Sequence, residues 1–293
     1  MDDKSALEIC IVGLGLMGGS LAGALRAHGP RLVGVDRDAQ AVATALAAGV
    51  IDAGTTDFTA GVQTANLVIL ATPVRAILRL LAELPQARPD GCHVLDLGST
   101  KQAICAAMDS LPAPFAAIGG HPMCGKETAG FAAAAPDLYH GQTFVLCPTA
   151  RTTPAVTAVV AQVINWIGAR ALHMPASLHD QIVAATSHLP YLAAAALMQQ
   201  TAAAAAKEAR VWSVSGAGLH DTTRLAGTDP DMMLDILLTN RAAVLQNLQN
   251  FRDRLAQLHQ LLQNEDEAGL RAWLRQSQQA RQTYKQAKDR PLS

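Results

Sequence analysis

A Rossmann-type α/β fold, a doubly wound parallel sheet followed by an all-α C-terminal domain, is predicted by three observations. A glycine-rich turn joins an apolar run to a helix-compatible one. Short β-rich runs then alternate with helical patterns up to about residue 174, and beyond Pro175 Ala, Leu, Gln and Met take over at helical spacing. The 293 residues suffice for two domains with separate cores, read as 1–174, which binds a dinucleotide, and 175–293, which is helical.

The first strand is Ile9-Cys10-Ile11-Val12, followed by the turn Gly13-Leu14-Gly15-Leu16-Met17-Gly18 and a helix over residues 20–28. A second strand, Leu32-Val33-Gly34-Val35, closes on Asp36. A lone G-x-G-x-x-G is a weak signal, but strand, glycine turn, helix, second strand and terminal acid together make a dinucleotide fingerprint. Gly13 permits the tight turn, Gly15 lets the backbone approach a pyrophosphate, and Gly18 lets helix and strand pack closely. Leu16 and Met17 open the helix whose N-terminus faces the phosphates. Asp36 is expected to accept hydrogen bonds from the adenosine ribose and to repel a 2′-phosphate, which favours NAD over NADP, a preference that Arg37 softens.

Further strands are near-continuous apolar runs, residues 66–71 and 93–97, as expected where helices cover both faces. They end in Thr72-Pro73 and Gly98-Ser99-Thr100-Lys101, loops that lie beyond the carboxyl ends of strands, where such sheets bind ligands. Residues 143–147 and 169–173 read as later strands, separated by a helix after Pro154. Before them, residues 119–130 read as a glycine-rich site loop carrying one imidazole, His121, and one carboxylate, Glu127. Histidine exchanges protons near neutrality, which makes His121 a candidate general base toward a substrate hydroxyl. Cys124 nearby raises a nucleophile reading, which a nicotinamide enzyme does not need.

Residues 181–206 contain no Asp, Glu, Lys or Arg and are long enough to cross a bilayer. Ser187, His188, Pro190, Gln199 and Gln200, in a segment dominated by alanine, point instead to a buried helix of a helical domain, with no membrane partner. A polar, glycine-containing loop follows over 213–221, and residues 264–289 place Leu270, Trp273 and Leu274 on one helix face. More apolar helices than one small domain can cover predict a homodimer. His188, just before Pro190, and Arg224, able to clamp a carboxylate in bidentate fashion, are the candidate site residues here. No metal site is expected, because His179 and His188 fall on opposite sides of a helix and paired Cys/His spacing is missing. A net charge of −1 offers no footprint for nucleic acid, so a small molecule is the expected partner. Five scattered cysteines and the acidic start Met1-Asp2-Asp3-Lys4 fit a cytoplasmic protein.

In this order, Gly13 to Gly18, Ala71-Thr72-Pro73, Asp96 to Lys101, His121-Pro122-Met123 with Glu127, His179-Asp180, Ser187-His188-Leu189-Pro190, Asp221-Thr222-Thr223-Arg224 and residues 230–240 resemble the prephenate and arogenate dehydrogenases of tyrosine biosynthesis. The resemblance covers nearly the whole chain and implies a dimerising helical domain. It also implies oxidative decarboxylation of prephenate to 4-hydroxyphenylpyruvate with reduction of NAD. By position, it makes His121 the base on the C4 hydroxyl, Ser99 a hydrogen-bonding partner of that hydroxyl, and Arg224 the holder of the ring carboxylate. It places Glu127, His188 and, from the other subunit, Asp221 at the pocket's gate. Tyr191 stands where many prephenate-preferring members carry a second histidine, and Gly218-Leu219-His220 replaces a pattern in which an aromatic and a basic residue are common. Arogenate as substrate, or both substrates as in a cyclohexadienyl dehydrogenase, therefore stays open. A β-hydroxyacid-type dehydrogenase is a more distant reading, with Lys207 alone in the long Ala-rich helix to serve as its lysine, and a non-catalytic nucleotide-binding protein is another.

Overall fold

The computed structural model describes residues 7–126, 128 and 130–288. By contacts the chain divides into two compact units, residues 1–243 and 244–293.

The first unit opens with β1 (Glu8–Val12), α1 (Leu16–Leu25), β2 (Arg31–Val35), α2 (Ala39–Ala47), β3 (Ala53–Thr55), α3 (Phe58–Val62), β4 (Leu67–Leu70), α4 (Val74–Ala87), β5 (His93–Asp96) and α5 (Gln102–Asp109). It continues with β6 (Ala116–Pro122), β7 (Thr143–Pro148), α6 (Pro154–Trp166) and β8 (Arg170–His173). These form one eight-stranded sheet in the order β3-β2-β1-β4-β5-β6-β7-β8. Strands from β3 to β6 are parallel, whereas β7 pairs antiparallel with β6 and β8 parallel with β7. The sheet is thus parallel over six of its eight strands, and its last two strands run the other way.

Alternation along each strand feeds two cores. Ile9, Ile11, Leu67, Ile69, Leu95 and Ile118 pack on one face with Leu21 and Leu25 of α1 and Val156 and Val160 of α6. Cys10, Val12, Val68, Leu70 and Val94 pack on the other with Ile77 and Leu81 of α4 and Ile104 of α5. Short polar side chains start the helices: Asp38 accepts from the Gln40 N–H at 2.9 Å, Asp57 from Ala60 at 3.2 Å, and Thr153 from Val156 at 3.3 Å.

Two elements differ from the sequence reading. Strand β3 was not anticipated, and residues 119–122, read as part of a loop, are the end of β6. Glycine is a poor strand former, yet it is sterically required here: a Cβ on Gly120 would stand 2.5 Å from the Asp96 carbonyl oxygen. Close packing of neighbouring strands overrides local propensity.

After β8, α7 (Ala176–Val183) passes through one wide π turn (Ala184–His188) directly into α8 (Leu189–Ala205). Pro190 therefore does not end the helix; it sits in the first turn of α8, where a missing N–H costs little. Residues 176–205 are long and apolar enough to cross a membrane by length and composition. Asp180, however, is fully buried and bonded to the backbone at the start of α5, which fastens the first turns of this run to the sheet. The expected burial of the run is not met within one chain: in α8 only Ala194 is buried. Then come α9 (Arg210–Ser213), α10 (Ala217–Thr223), a tight turn over Arg224–Gly227 and α11 (Pro230–Thr239). Much of the stretch read as a polar loop is thus helical, and Asp221 lies on α10. On α11, Asp235 pairs with Arg75 of α4 at 3.4 Å. The last described elements are α12 (Arg241–Gln263) and α13 (Glu267–Lys288), on which Leu255, Leu262, Leu274 and Tyr284 are at least half exposed.

Candidate active site

Because β1, β4, β5 and β6 are adjacent and parallel, their carboxyl ends share one edge of the sheet. That edge carries, in spatial order, the glycine turn, Thr72-Pro73, Ser99 and His121. The row spans three strand spacings, roughly 14 Å.

Gly13 has φ +97°, and a Cβ there would lie 2.7 Å from the Ala71 carbonyl oxygen. A Cβ on Gly18 would collide with the Gly13 carbonyl oxygen, whereas nothing stands within 4 Å of where a Gly15 Cβ would point. Two of the glycines thus allow close packing, and the third leaves open space at the helix N-terminus. Tyr139 steadies this turn, its hydroxyl donating to the Met17 carbonyl at 2.7 Å beside Leu16. Asp36 accepts from the Leu14 N–H at 2.7 Å and the Asp38 N–H at 2.9 Å, which fixes its carboxylate at the tip of β2. Thr72 Oγ1 is buried and without a partner, and it lies next to Gly13. Open space over a helix N-terminus, an oriented carboxylate and an unsatisfied hydroxyl suit a dinucleotide bearing phosphates and ribose hydroxyls. The residues present fit NAD.

His121, half-buried, ends β6 opposite Val145 of β7. Its Nδ1 lies 2.8 Å from Nε2 of His179, and the two rings meet edge to face. His179 Nδ1 in turn lies 2.8 Å from Asp180 Oδ1. Asp180 also accepts the backbone N–H groups of Lys101 at 2.7 Å and Gln102 at 2.9 Å, capping α5 from outside that helix. Burial, aided by His179, Lys101 and His188, pushes the His121 pKa well below its ordinary value of 6.5. A lowered pKa favours the unprotonated ring, the form that can accept a proton.

Beneath it lies a fully buried ion pair, Lys101 with Asp96. The ammonium also donates to the Gly120 carbonyl at 2.7 Å, and Asp96 accepts from the N–H groups of Gly98 at 2.8 Å and Gly120 at 3.0 Å. Every one of these bonds holds the backbone next to His121 or the loop carrying Ser99.

His188, on the π turn, is buried, and Asn240 approaches its Nδ1 at 3.3 Å while donating to the Asp180 carbonyl at 2.7 Å. Burial, opposed by Asp180 and reinforced by His179, lowers its pKa to about 4. Ser99 and Tyr191 are half-buried, on the loop after β5 and on α8. Arg224 is exposed on the turn that packs against α8, and Asp221, also exposed, pairs with His220 at 3.2 Å. Glu127 lies outside the described residues. The structure thus gathers His121 and His188 around Asp180 and leaves Arg224 and Asp221 on the surface of the single chain.

Sequence reasoning gave no role to Lys101, Asp96, His179 or Asn240. One signal was available for the first two: an acid ending an apolar strand, with a lysine five residues on, invites a buried pair. His179 and Asn240, 61 residues apart, are joined through Asp180, which Asn240 links to His188. Among the described residues no cluster suited to a metal ion occurs.

Residues 21–173 match the family described as prephenate dehydrogenase, nucleotide-binding domain, and residues 175–276 match prephenate dehydrogenase, dimerization domain. The chain is 34% identical over 267 residues to the prephenate dehydrogenase of Bacillus subtilis strain 168, covering 89% of this chain and 72% of that protein. A crystal structure of prephenate dehydrogenase from A. aeolicus, in complex with hydroxyphenyl propionate and NAD+, matches with a TM-score of 0.88 at 31% identity, covering 97% of this chain and 100% of that one. The Synechocystis arogenate dehydrogenase structure matches with a TM-score of 0.81 at 33% identity, covering 95% and 100%.

Proposed function

The chain belongs to the prephenate dehydrogenase family, and from that membership we infer that it is an NAD-dependent oxidoreductase converting prephenate to 4-hydroxyphenylpyruvate. The observation that carries the reading is His121: a neutral imidazole at the strand edge that also bears the cofactor turn.

His121 Nε2 takes the proton of the C4 hydroxyl, and Ser99 hydrogen-bonds the same oxygen. NAD+, when bound, accepts the hydride that leaves C4. As the ring carboxylate departs as carbon dioxide, the electron pair of its C–C bond aromatises the ring. The phenolic oxygen then recovers the proton from His121, so the reaction neither releases nor consumes a proton overall. The residues do the orienting that makes hydride transfer fast. Gly13, Gly15, Leu16, Met17 and Gly18 receive the pyrophosphate, Asp36 the ribose, and Thr72 and Pro73 the nicotinamide end. Arg224 binds the ring carboxylate, while Glu127, His188 and the other subunit's copy of Asp221 border the pocket.

We place the boundary between the nucleotide-binding and substrate-binding parts at 174/175, and propose that residues 175–293 form a homodimer. Supporting this are the dimerization-domain match and the apolar side chains left exposed on α8, α11, α12 and α13, among them Leu197, Leu234, Leu255 and Leu274. Buried free thiols at Cys10, Cys92, Cys105 and Cys147 support a cytoplasmic location.

Tyr191 favours a second substrate, arogenate. A phenol on α8 in place of a titratable imidazole removes a cation that would repel arogenate's ammonium. The deciding measurement is kcat/KM for prephenate and arogenate, each with NAD and NADP. Turnover of prephenate with NAD is expected, and its absence overturns the reading; equal use of NADP removes Asp36 from the ribose site. In Tyr191→His the prephenate-to-arogenate ratio is expected to rise about tenfold, and an unchanged ratio takes Tyr191 out of side-chain recognition. Arg224→Ala leaves a carboxylate unpaired and is expected to raise KM for prephenate by roughly 100-fold with a smaller change in kcat. If KM stays put, another residue holds the carboxylate.

A further inference from the structure

Which nitrogen of His121 carries the proton decides whether this residue can act as a base, and neighbouring side chains impose the choice. Asp180 is the starting point. Burial works against its ionisation, but bonds from His179 and from the Gln102 and Lys101 N–H groups outweigh it and hold the pKa below the ordinary value. It is a carboxylate and can only accept. His179 Nδ1, 2.8 Å from Asp180 Oδ1, must therefore donate. With Nδ1 donating and a single proton on the His179 ring, Nε2 must accept, and that atom lies 2.8 Å from His121 Nδ1. His121 Nδ1 then carries the proton, and Nε2 keeps its lone pair.

We propose that His179 and Asp180 are positioning residues that lock His121 in the Nδ1–H tautomer, leaving Nε2 as the nitrogen that meets the substrate hydroxyl. The base role rests on the proposed reaction; the tautomer does not. When Nε2 takes the hydroxyl proton, Nδ1–H stays bonded to His179, and the Asp180 carboxylate behind it offsets the new positive charge. No proton moves along the relay, so the one taken from the substrate is held at Nε2 until the phenolic oxygen reclaims it. The relay is also held from outside. Asp180 caps α5, its backbone carbonyl accepts from Asn240, and the Lys101–Asp96 pair holds Gly120 beside His121.

The test is long-range 1H–15N correlation of the nine histidine side chains, at about pH 8, where an ordinary imidazole is neutral, with His121 assigned by loss of its signals in His121→Asn. In the full-length protein without substrate, His121 is expected to show a protonated Nδ1 and a bare Nε2. In His179→Ala that preference should be lost and kcat should fall about 10- to 100-fold, part of what a placed base contributes. KM for prephenate and the NAD dissociation constant should stay within about twofold, because His179 is buried. His179→Gln, whose side-chain carbonyl can accept from Nδ1, should regain part of the loss. A proton on Nε2 of wild-type His121, or a tautomer unchanged in His179→Ala, overturns the proposal, and the wild-type spectrum decides even if a variant does not fold. The expected tautomer in a protein that fails to oxidise prephenate would sink the reaction and leave the relay standing.

Discussion

Replacing His121 with asparagine should lower kcat about 10²- to 10⁴-fold, the range a positioned general base supplies, while NAD affinity is retained. Asparagine can still hydrogen-bond the substrate hydroxyl, but it cannot take its proton. The cofactor contacts assigned to the glycine turn, Asp36 and Thr72 lie on other strands, so binding of NAD followed by fluorescence titration should be unaffected. A variant with unchanged kcat removes His121 from the chemistry. The wild-type pH profile gives an independent check. A base works when unprotonated, and burial, aided by His179, Lys101 and His188, lowers the pKa well below 6.5. Activity should therefore persist to lower pH than an ordinary histidine allows. The acid limb of kcat/KM is expected below pH 6.5, and a limb at or above that value contradicts the environment described.

The second large effect is on stability. Lys101→Met keeps most of the side chain's apolar stem but leaves the Asp96 carboxylate fully buried without its cation. Breaking a buried pair from one side costs about 3–5 kcal/mol, far above the roughly 0–1 kcal/mol typical of exposed pairs. For a chain of 293 residues the melting temperature should fall by roughly 5–8 °C at fixed protein concentration. Adding Asp96→Asn to Lys101→Met removes the stranded charge while keeping one acceptor for the Gly98 or Gly120 N–H, and is expected to recover part of the loss. Calorimetry or chemical denaturation of the three variants checks this; a loss below about 1 kcal/mol for Lys101→Met shows that water reaches the carboxylate.

Particular residues show why some of this was legible in one dimension. The glycine turn, Asp36 and the apolar strands are local: a tight turn, a close helix approach and burial on both faces each demand a residue type within a few positions. His121 was legible as a residue type, but its setting was not, because Gly119 and Gly120 resemble a loop until the carbonyl of Asp96 and the thiol of Cys105 are seen beside them. Likewise Pro190 signals a break in an isolated helix, and only the π turn before it shows the chain running on.

The sequence by itself determined the Rossmann-type half, the dinucleotide cofactor, the helical C-terminal part and the family, since these follow from short-range periodicity and from residue types at fixed spacing. Only the tertiary structure decided that β7 and β8 run against the other strands, that Lys101 is sealed beneath the site, and that His121, His179 and Asp180 form one chain of bonds. The reason is physical: a tautomer, a depressed pKa and a buried ion pair are set by groups within about 3 Å in space, and here those groups come from elements up to 79 residues apart in the chain.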